Sequence, residues 1–192
     1  MPGTIIGCLG AQRSGKTLFA YKLVKAIHEA FDVPVYSNIY SPRDDFHYIN
    51  SLEDFPLDLN PKILFIDEIY NGLDAQDYKK LKEISIFINT IGKQNCLFVY
   101  TTIEAEMVYN RLRNQTQTVV VVSKNDKNIY YKLINLADMS SSVHSVPIND
   151  KLFENVYYDT QFIPLDFDWG MKDWRSKLSK FYLDHYGLVV NL

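Results

Sequence analysis

The stretch Ile5–Ala20, IIGCLGAQRSGKTLFA, contains GAQRSGKT, a fit to the pattern Gly-x-x-x-x-Gly-Lys-Thr. Ahead of it lies a short apolar run, Thr4 to Leu9. Behind it Leu18, Phe19, Leu23, Ala26, Ile27 and Ala30 recur at helical spacing through Lys16 to Phe31. The order is strand, loop, helix. Holding a triphosphate requires backbone N–H groups converging on one small volume, a helix N-terminus behind them, and a cation able to span two phosphates. Gly10 and Gly15 permit the tight backbone, Lys16 is placed for the β- and γ-phosphates, and the Thr17 hydroxyl is placed for Mg²⁺. The expected nucleotide-binding set is therefore Gly10, Ala11, Gln12, Arg13, Ser14, Gly15, Lys16, Thr17 and Leu18. With glycine at about 7% of residues, a chance match to the four fixed positions is on the order of one in a hundred.

Downstream, Val33 to Tyr40 (VPVYSNIY) is rich in β-branched and aromatic residues and reads as a second strand; a polar, proline-punctuated loop follows. KILFIDE is a buried strand ending in two acids. Four apolar residues bring Asp67 and Glu68 to the C-terminal edge of the sheet, where open α/β sheets bind ligands. Asp67 is the expected magnesium-shell acid. Glu68 is the expected base for the attacking water. A plain helix-capping pair is the alternative reading of these acids.

Leu73 to Ile91 has helical periodicity, CLFVYTT is another buried strand, and EAEMVYNRLRNQ predicts a short helix. TVVVVS and NIYYKLINL flank KNDKN, whose Asn and Asp suit a hairpin turn. SKND, Ser123 to Asp126, echoes a guanine-reading motif, but Tyr70 stands where a GTPase places glycine after its strand-end aspartate, so the hairpin reading is preferred. A nucleotide kinase would need an arginine-rich lid, which the later sequence lacks. Strands alternating with helices predict a three-layer α/β fold with a mostly parallel sheet. From Ser140 the periodicity weakens into a long, aromatic-rich irregular segment expected to wrap over the core. Asp173 to Tyr186 predicts a closing helix. The expected organisation is a core over 1–139 and an appendage over 140–192, packed as one domain.

At 192 residues and 47% hydrophobic content the chain can bury a substantial core. Its net charge of −3 repels phosphate weakly, so any nucleic-acid contact must come from a local basic patch. The two cysteines, Cys8 and Cys96, sit in apolar runs and read as core thiols of a reducing compartment. Neither a signal-type N-terminus nor an apolar window of membrane-spanning length is present, so a soluble intracellular protein without a membrane span is expected.

The runs GAQRSGKTLFAYKLVKAI, PVYSNIY, ILFIDEIYNGLD, LFVYTT and NRLRN together resemble viral P-loop ATPases of the FtsK/HerA superfamily, over roughly residues 4 to 136. The nearest patterns are genome-packaging ATPases of membrane-containing icosahedral and archaeal viruses, and Zot-like assembly proteins of filamentous phages. The resemblance implies an ASCE-type P-loop NTPase fold with the CLFVYTT strand between the phosphate-loop strand and the acidic strand. It implies ATP and Mg²⁺ as cofactors, and translocation of double-stranded DNA without sequence preference. It also implies a homo-oligomeric ring of about six subunits, contact with a capsid or vertex protein, and a place in the cytoplasm of the infected host cell or on the virion. Lys16, Thr17, Asp67 and Glu68 match the pattern. Thr102, or Thr101, stands in for the γ-phosphate sensor because Ile103 replaces the usual glutamine. Arg111 and Arg113, and behind them Lys93, are the candidates for a finger acting on a neighbour's site. Lys79, Lys80 and Lys82, or the Lys124 to Lys127 turn, are the candidate DNA contacts. Zot-like proteins continue into a membrane-spanning segment that this sequence lacks, which favours packaging over extrusion. A third possibility, of a different class, is a nucleotide-switched interaction module with little turnover.

Overall fold

The structure, a computed structural model, describes residues 3–71, 78–159, 162, 165–170 and 172–190, with backbone alone at 78–83. Its strands are β1 (Thr4–Leu9), β2 (Val35–Ser37), β3 (His47–Tyr48), β4 (Lys62–Ile66), β5 (Cys96–Thr102), β6 (Thr118–Lys124), β7 (Asn128–Asn135) and β8 (Ser141–Pro147). The helices are α1 (Lys16–Phe31), α2 (Tyr78–Thr90), α3 (Asn110–Gln115), α4 (Asp150–Phe153) and α5 (Trp174–Tyr186). All eight strands join one sheet in the order β3-β2-β4-β5-β1-β6-β7-β8. β3 through β6 in that order are mutually parallel, and β7 and β8 add antiparallel pairs at one edge. β5 lies between β1 and β4, as the resemblance implies, with Thr4 beside Leu97 and Lys62 beside Cys96.

β4 and β5 are apolar almost without interruption because a central parallel strand is covered on both faces. Their side chains alternate between two layers. Leu64, Ile66, Phe98 and Tyr100 pack with Ile84, Phe87 and Ile88 of α2. Ile63, Phe65, Leu97 and Val99 pack with Leu18, Tyr21 and Val24 of α1. Gly7 faces the α2 side, where a Cβ would come within 2.6 Å of the Tyr100 hydroxyl, so the small residue gives that ring its room.

Three departures from the sequence expectation concern the sheet and its loops, and the helix expected over EAEMVYNRLRNQ is confined to α3 after a 3₁₀ turn at Ala105–Met107. β2 is shorter than the Val33 to Tyr40 run because the chain turns at Ser37, whose Oγ accepts from the Ile39 N–H. The proline-punctuated loop contains β3 and a 3₁₀ turn at Leu52–Asp54, capped by the Ser51 hydroxyl accepting from Glu53 N. The expected irregular stretch after Ser140 begins with β8, which pairs with β7 over its whole length. Six of its seven residues are exposed, so SSVHSVP carries no apolar alternation to announce it. α5 forms as expected yet buries no residue, and only Trp174 packs against the α2-side layer.

The C-terminal segment does enter the core. Phe167 and Trp169 are buried under the α2 side, and Asp168 between them exchanges backbone hydrogen bonds with Asn50 and Leu52, both at 2.8 Å. Among the described residues no helix is long and apolar enough to cross a membrane.

Cys8 and Cys96 are both free and buried. Burial pushes the Cys8 thiol far above its ordinary range and Cys96 up to about 12. Since the thiolate is the nucleophile, neither cysteine of the native protein is expected to react with an aromatic disulfide reagent at mildly alkaline pH. Both should react once the chain is unfolded in denaturant; rapid reaction of the folded protein would contradict the burial described.

Candidate functional site

Gly10 follows β1 at φ 154, and a Cβ there would meet the Val122 carbonyl oxygen at 2.2 Å. Only glycine lets the loop pass so close to β6. Gly15 caps α1 in the left-handed region at φ 100, with no side-chain hydrogen bond to the helix and no acid in its first turn. A helix start leaves its first N–H groups without intrahelical partners and carries partial positive charge. Here no capping side chain answers them. The Ser14 hydroxyl beside them is buried without a hydrogen-bond partner among the described residues. Lys16 Nζ donates to the Ala11 carbonyl at 2.9 Å, so its ammonium stands over the loop. Burial lowers the Lys16 pKa against the opposing pull of Asp67 and Glu68. This cradle of donors fits a bound phosphate chain.

Across from the loop, β4 delivers Asp67. Its Oδ1 accepts from Thr17 Oγ1 at 2.9 Å and from Thr101 Oγ1 at 2.6 Å. Burial and the charge of Glu68 raise the Asp67 pKa against those two hydrogen bonds and Lys16. A hydroxyl and a carboxylate in contact are hard oxygen donors of the kind Mg²⁺ takes, with phosphate and water filling its remaining positions. Glu68, next along, is held at φ 52, left-handed and uncommon for a residue with a side chain. Flanking strands hold this turn in place. Asn38, just past the end of β2, grips the Asp67 peptide, accepting from its N–H at 2.8 Å and donating to its carbonyl at 3.0 Å. Thr101 accepts the Glu68 N–H on its hydroxyl at 2.9 Å and the Ile69 N–H on its carbonyl at 3.0 Å. Strain over-determined in this way fixes the Glu68 carboxylate beside Asp67.

Two cavities open here. One of about 280 Å³ runs over the loop and α1 start, lined by Arg13, Lys16 and Thr17, with Ile129, Phe153 and Tyr158 among its apolar walls. The other, about 250 Å³, holds Asp67 and Glu68 with Arg13, Thr17, Tyr158 and Phe162. Their outer wall is thus built by Phe153, Val156, Tyr158 and Phe162, and a buried ionic knot fastens residues 155–157 to α1. Asp44 takes hydrogen bonds from Lys25, Tyr21 and Ser41, while Lys25 also donates to the Asn155 carbonyl at 3.0 Å and lies 4.2 Å from the Tyr157 ring centre. Removing one partner of a buried pair strands the other. Asp44→Ala is therefore expected to cost about 3 kcal/mol in urea unfolding and to open residues 155–158 to limited proteolysis. Wild-type resistance in the variant would show that the knot does not hold the segment.

No protein-family model matches the chain, and no curated protein matches it by sequence. Solved structures do match by shape. The N-terminal domain of zonular occludens toxin from Neisseria meningitidis superposes with a TM-score of 0.54 at 15% identity, covering 83% of this chain and 100% of that one. B204, the DNA-packaging ATPase of Sulfolobus Turreted Icosahedral Virus, gives 0.56 at 14% identity over 77% and 99%. The genome-packaging NTPase B204 of Sulfolobus turreted icosahedral virus 2, in complex with AMPPCP, gives 0.56 at 12% over 78% and 100%. The chain has the P-loop NTPase fold.

Within this P-loop fold Lys16, Thr17, Asp67 and Glu68 come together as the sequence predicts. Thr101 meets Asp67 directly. Thr102 instead donates its hydroxyl to the Glu104 carbonyl at 3.0 Å and lines neither cavity. Arg113 donates to Asn110 Oδ1 at 2.8 Å and to the Ala105 carbonyl at 3.4 Å, and Arg111 is exposed on α3. Lys93 precedes β5 and so sits at the opposite end of the sheet from Asp67. Lys124 lines the larger cavity, which sets it beside the phosphate loop, whereas Lys127 stays in the hairpin turn with its N–H on Asn125 Oδ1. The side chains of Lys79, Lys80 and Lys82 lie outside the described residues. Asn38, Tyr158 and Phe162 were not expected at the site. The buried polar pair Ser37–Asn38 inside an apolar run was the available signal for Asn38; nothing local marks the other two.

Proposed function

We propose that the chain is a Mg²⁺-dependent ATPase that drives double-stranded DNA, without sequence preference, into a preformed viral capsid. The observation that carries the hydrolytic reading is the contact of Thr17 and Thr101 with Asp67, with Glu68 held next to it on a strained turn. Backbone N–H groups of residues 10–17 and Lys16 bind the phosphates. Thr17 and Asp67 hold Mg²⁺, which supplies charge neutralisation on the phosphate oxygens. The Glu68 carboxylate accepts the proton of the water that attacks the γ-phosphorus as the bond to the bridging oxygen breaks and ADP leaves with that electron pair. The fold shared with B204, a protein described as a DNA-packaging ATPase, supports the choice of cargo.

In this reading about six copies form a ring around the duplex, and exposed Arg111, with Arg113 behind it, serves the neighbouring site. The ring meets a capsid or vertex protein in the cytoplasm of the infected cell. The likeness to the zonular occludens toxin domain supports a second reading, an extrusion ATPase of filamentous-phage type. ATP hydrolysis measured across a protein concentration series, with and without double-stranded DNA, tests the motor. Specific activity rising with both is the expected result. Activity flat in both, with ATP still bound, would overturn the motor in favour of a nucleotide-switched module.

A further inference from the structure

We propose that Arg13 is a catalytic residue acting within its own chain, its guanidinium engaging the terminal phosphate of the bound triphosphate opposite Lys16. The proposal rests on the ATPase reading above. Arg13, Thr17 and Tyr158 are the residues that line both cavities, the one over the phosphate loop and the one containing Asp67 and Glu68. The terminal phosphate belongs where the two meet, because Thr17 and Asp67 bound it on the metal side and Glu68 bounds it on the water side. Among the described residues Arg13 is therefore the arginine at the reacting end of the nucleotide.

Its backbone and its freedom agree with that role. Arg13 is held in the left-handed region at φ 59, at the tip of a loop closed by the Ser14 N–H on the Ala11 carbonyl. The position tolerates glycine best, and a long charged side chain there has no local conformational reason. No hydrogen bond or ion pair joins Arg13 to another described residue, whereas Arg113 is tied to Asn110 and Ala105. A guanidinium presents a planar fork of N–H donors that matches two phosphate oxygens at once. Charge on the transferring phosphoryl group is spread over its equatorial oxygens, and an arginine placed there is worth roughly 10³ to 10⁵ in turnover. With Arg13 in place, the chain that binds the nucleotide supplies part of the charge stabilisation itself, and a neighbour's arginine adds to it.

The test compares wild type, Arg13→Ala and Arg13→Lys in equilibrium binding of ADP and of ATPγS, and in ATP turnover. Alanine occupies the same strained backbone region as arginine, so thermal unfolding serves as the control for folding. For Arg13→Ala the expected result is ATPγS affinity at least about tenfold weaker and turnover about a hundredfold lower. ADP affinity should stay within about twofold, and Arg13→Lys should recover part of the loss. Equal losses for ADP and ATPγS would make Arg13 a loop-shaping residue. Unchanged binding and turnover would make it a bystander. Turnover restored by mixing Arg13→Ala with Lys16→Ala subunits would mean that it acts on a neighbour. Each of these overturns the proposal. If wild type binds nucleotide without turnover, the ATPase reading fails, and the ADP against ATPγS comparison still decides whether Arg13 meets the terminal phosphate.

Discussion

Glu68→Gln should lower ATP turnover by about 10² to 10⁴ while leaving ATP binding intact. Glutamine keeps the length of the side chain and can keep the contact with Asn71, whose Nδ2 donates to Glu68 Oε2 at 3.3 Å. It loses only the basic carboxylate. The left-handed turn is held by backbone contacts to Thr101 and by Asn38 on Asp67, none of which uses the Glu68 side chain, so the fold of the turn survives the change. Tyr70 registers the carboxylate too: burial, then the charge of Glu68 and a hydrogen bond to it, raise the tyrosine pKa. Phosphate release and equilibrium binding of labelled ATP, measured on the same preparations, separate the two effects. Turnover within about threefold of wild type would remove Glu68 from the role of base. Loss of binding together with turnover would instead make it part of the nucleotide cradle.

Trp169→Ala should destabilise the chain by about 3 to 5 kcal/mol in urea unfolding, the usual cost of emptying a buried aromatic site. The ring is fully buried, with centroids 4.7 Å from Phe167 and 6.4 Å from Phe98 of β5. Its indole N–H has no hydrogen-bond partner among the described residues. An unanswered buried donor carries its own desolvation cost. Trp169→Phe keeps most of the apolar contact and discards that donor, so a loss below about 1.5 kcal/mol is expected for it. A Trp169→Ala variant as stable as wild type would mean that residues 167–169 are not seated against β5 in solution.

The core strands were legible because burial on both faces writes itself into consecutive residues, as in KILFI and CLFVYTT. The phosphate loop was legible because its glycines and lysine are adjacent in sequence. The order that places β5 between β1 and β4 came from resemblance, since a run of apolar residues says nothing of its neighbours. What stayed hidden depends on pairs far apart in the chain. Asn38 touches Asp67 from the turn after β2, and Thr101 spends its hydroxyl on Asp67 while its neighbour Thr102 turns to Glu104. No local spacing distinguishes those two threonines. Tyr158 reaches the site from a segment that the Lys25–Asp44 knot fastens to α1, and Phe162 packs on Tyr40 and Tyr48; neither arrangement leaves a periodic trace. β8 escaped for the opposite reason to β4: an exposed edge strand imposes almost no apolar requirement on its sequence.

The central position of β1 has a kinetic consequence. It leaves the ribosome well ahead of both of its partners: Thr4 pairs with Leu97 and Ile6 with Thr118. Pairings of such separation close long loops before any contact repays them, which slows folding. The nascent chain must therefore carry an apolar strand with two unmatched edges until β5 and β6 have been made. The GAQRSGKT loop, though made before β5 and β6, gains its rigid backing only when those strands have been delivered. Refolding should show the nucleotide site maturing in the slowest phase, behind the local hairpin of β6 and β7.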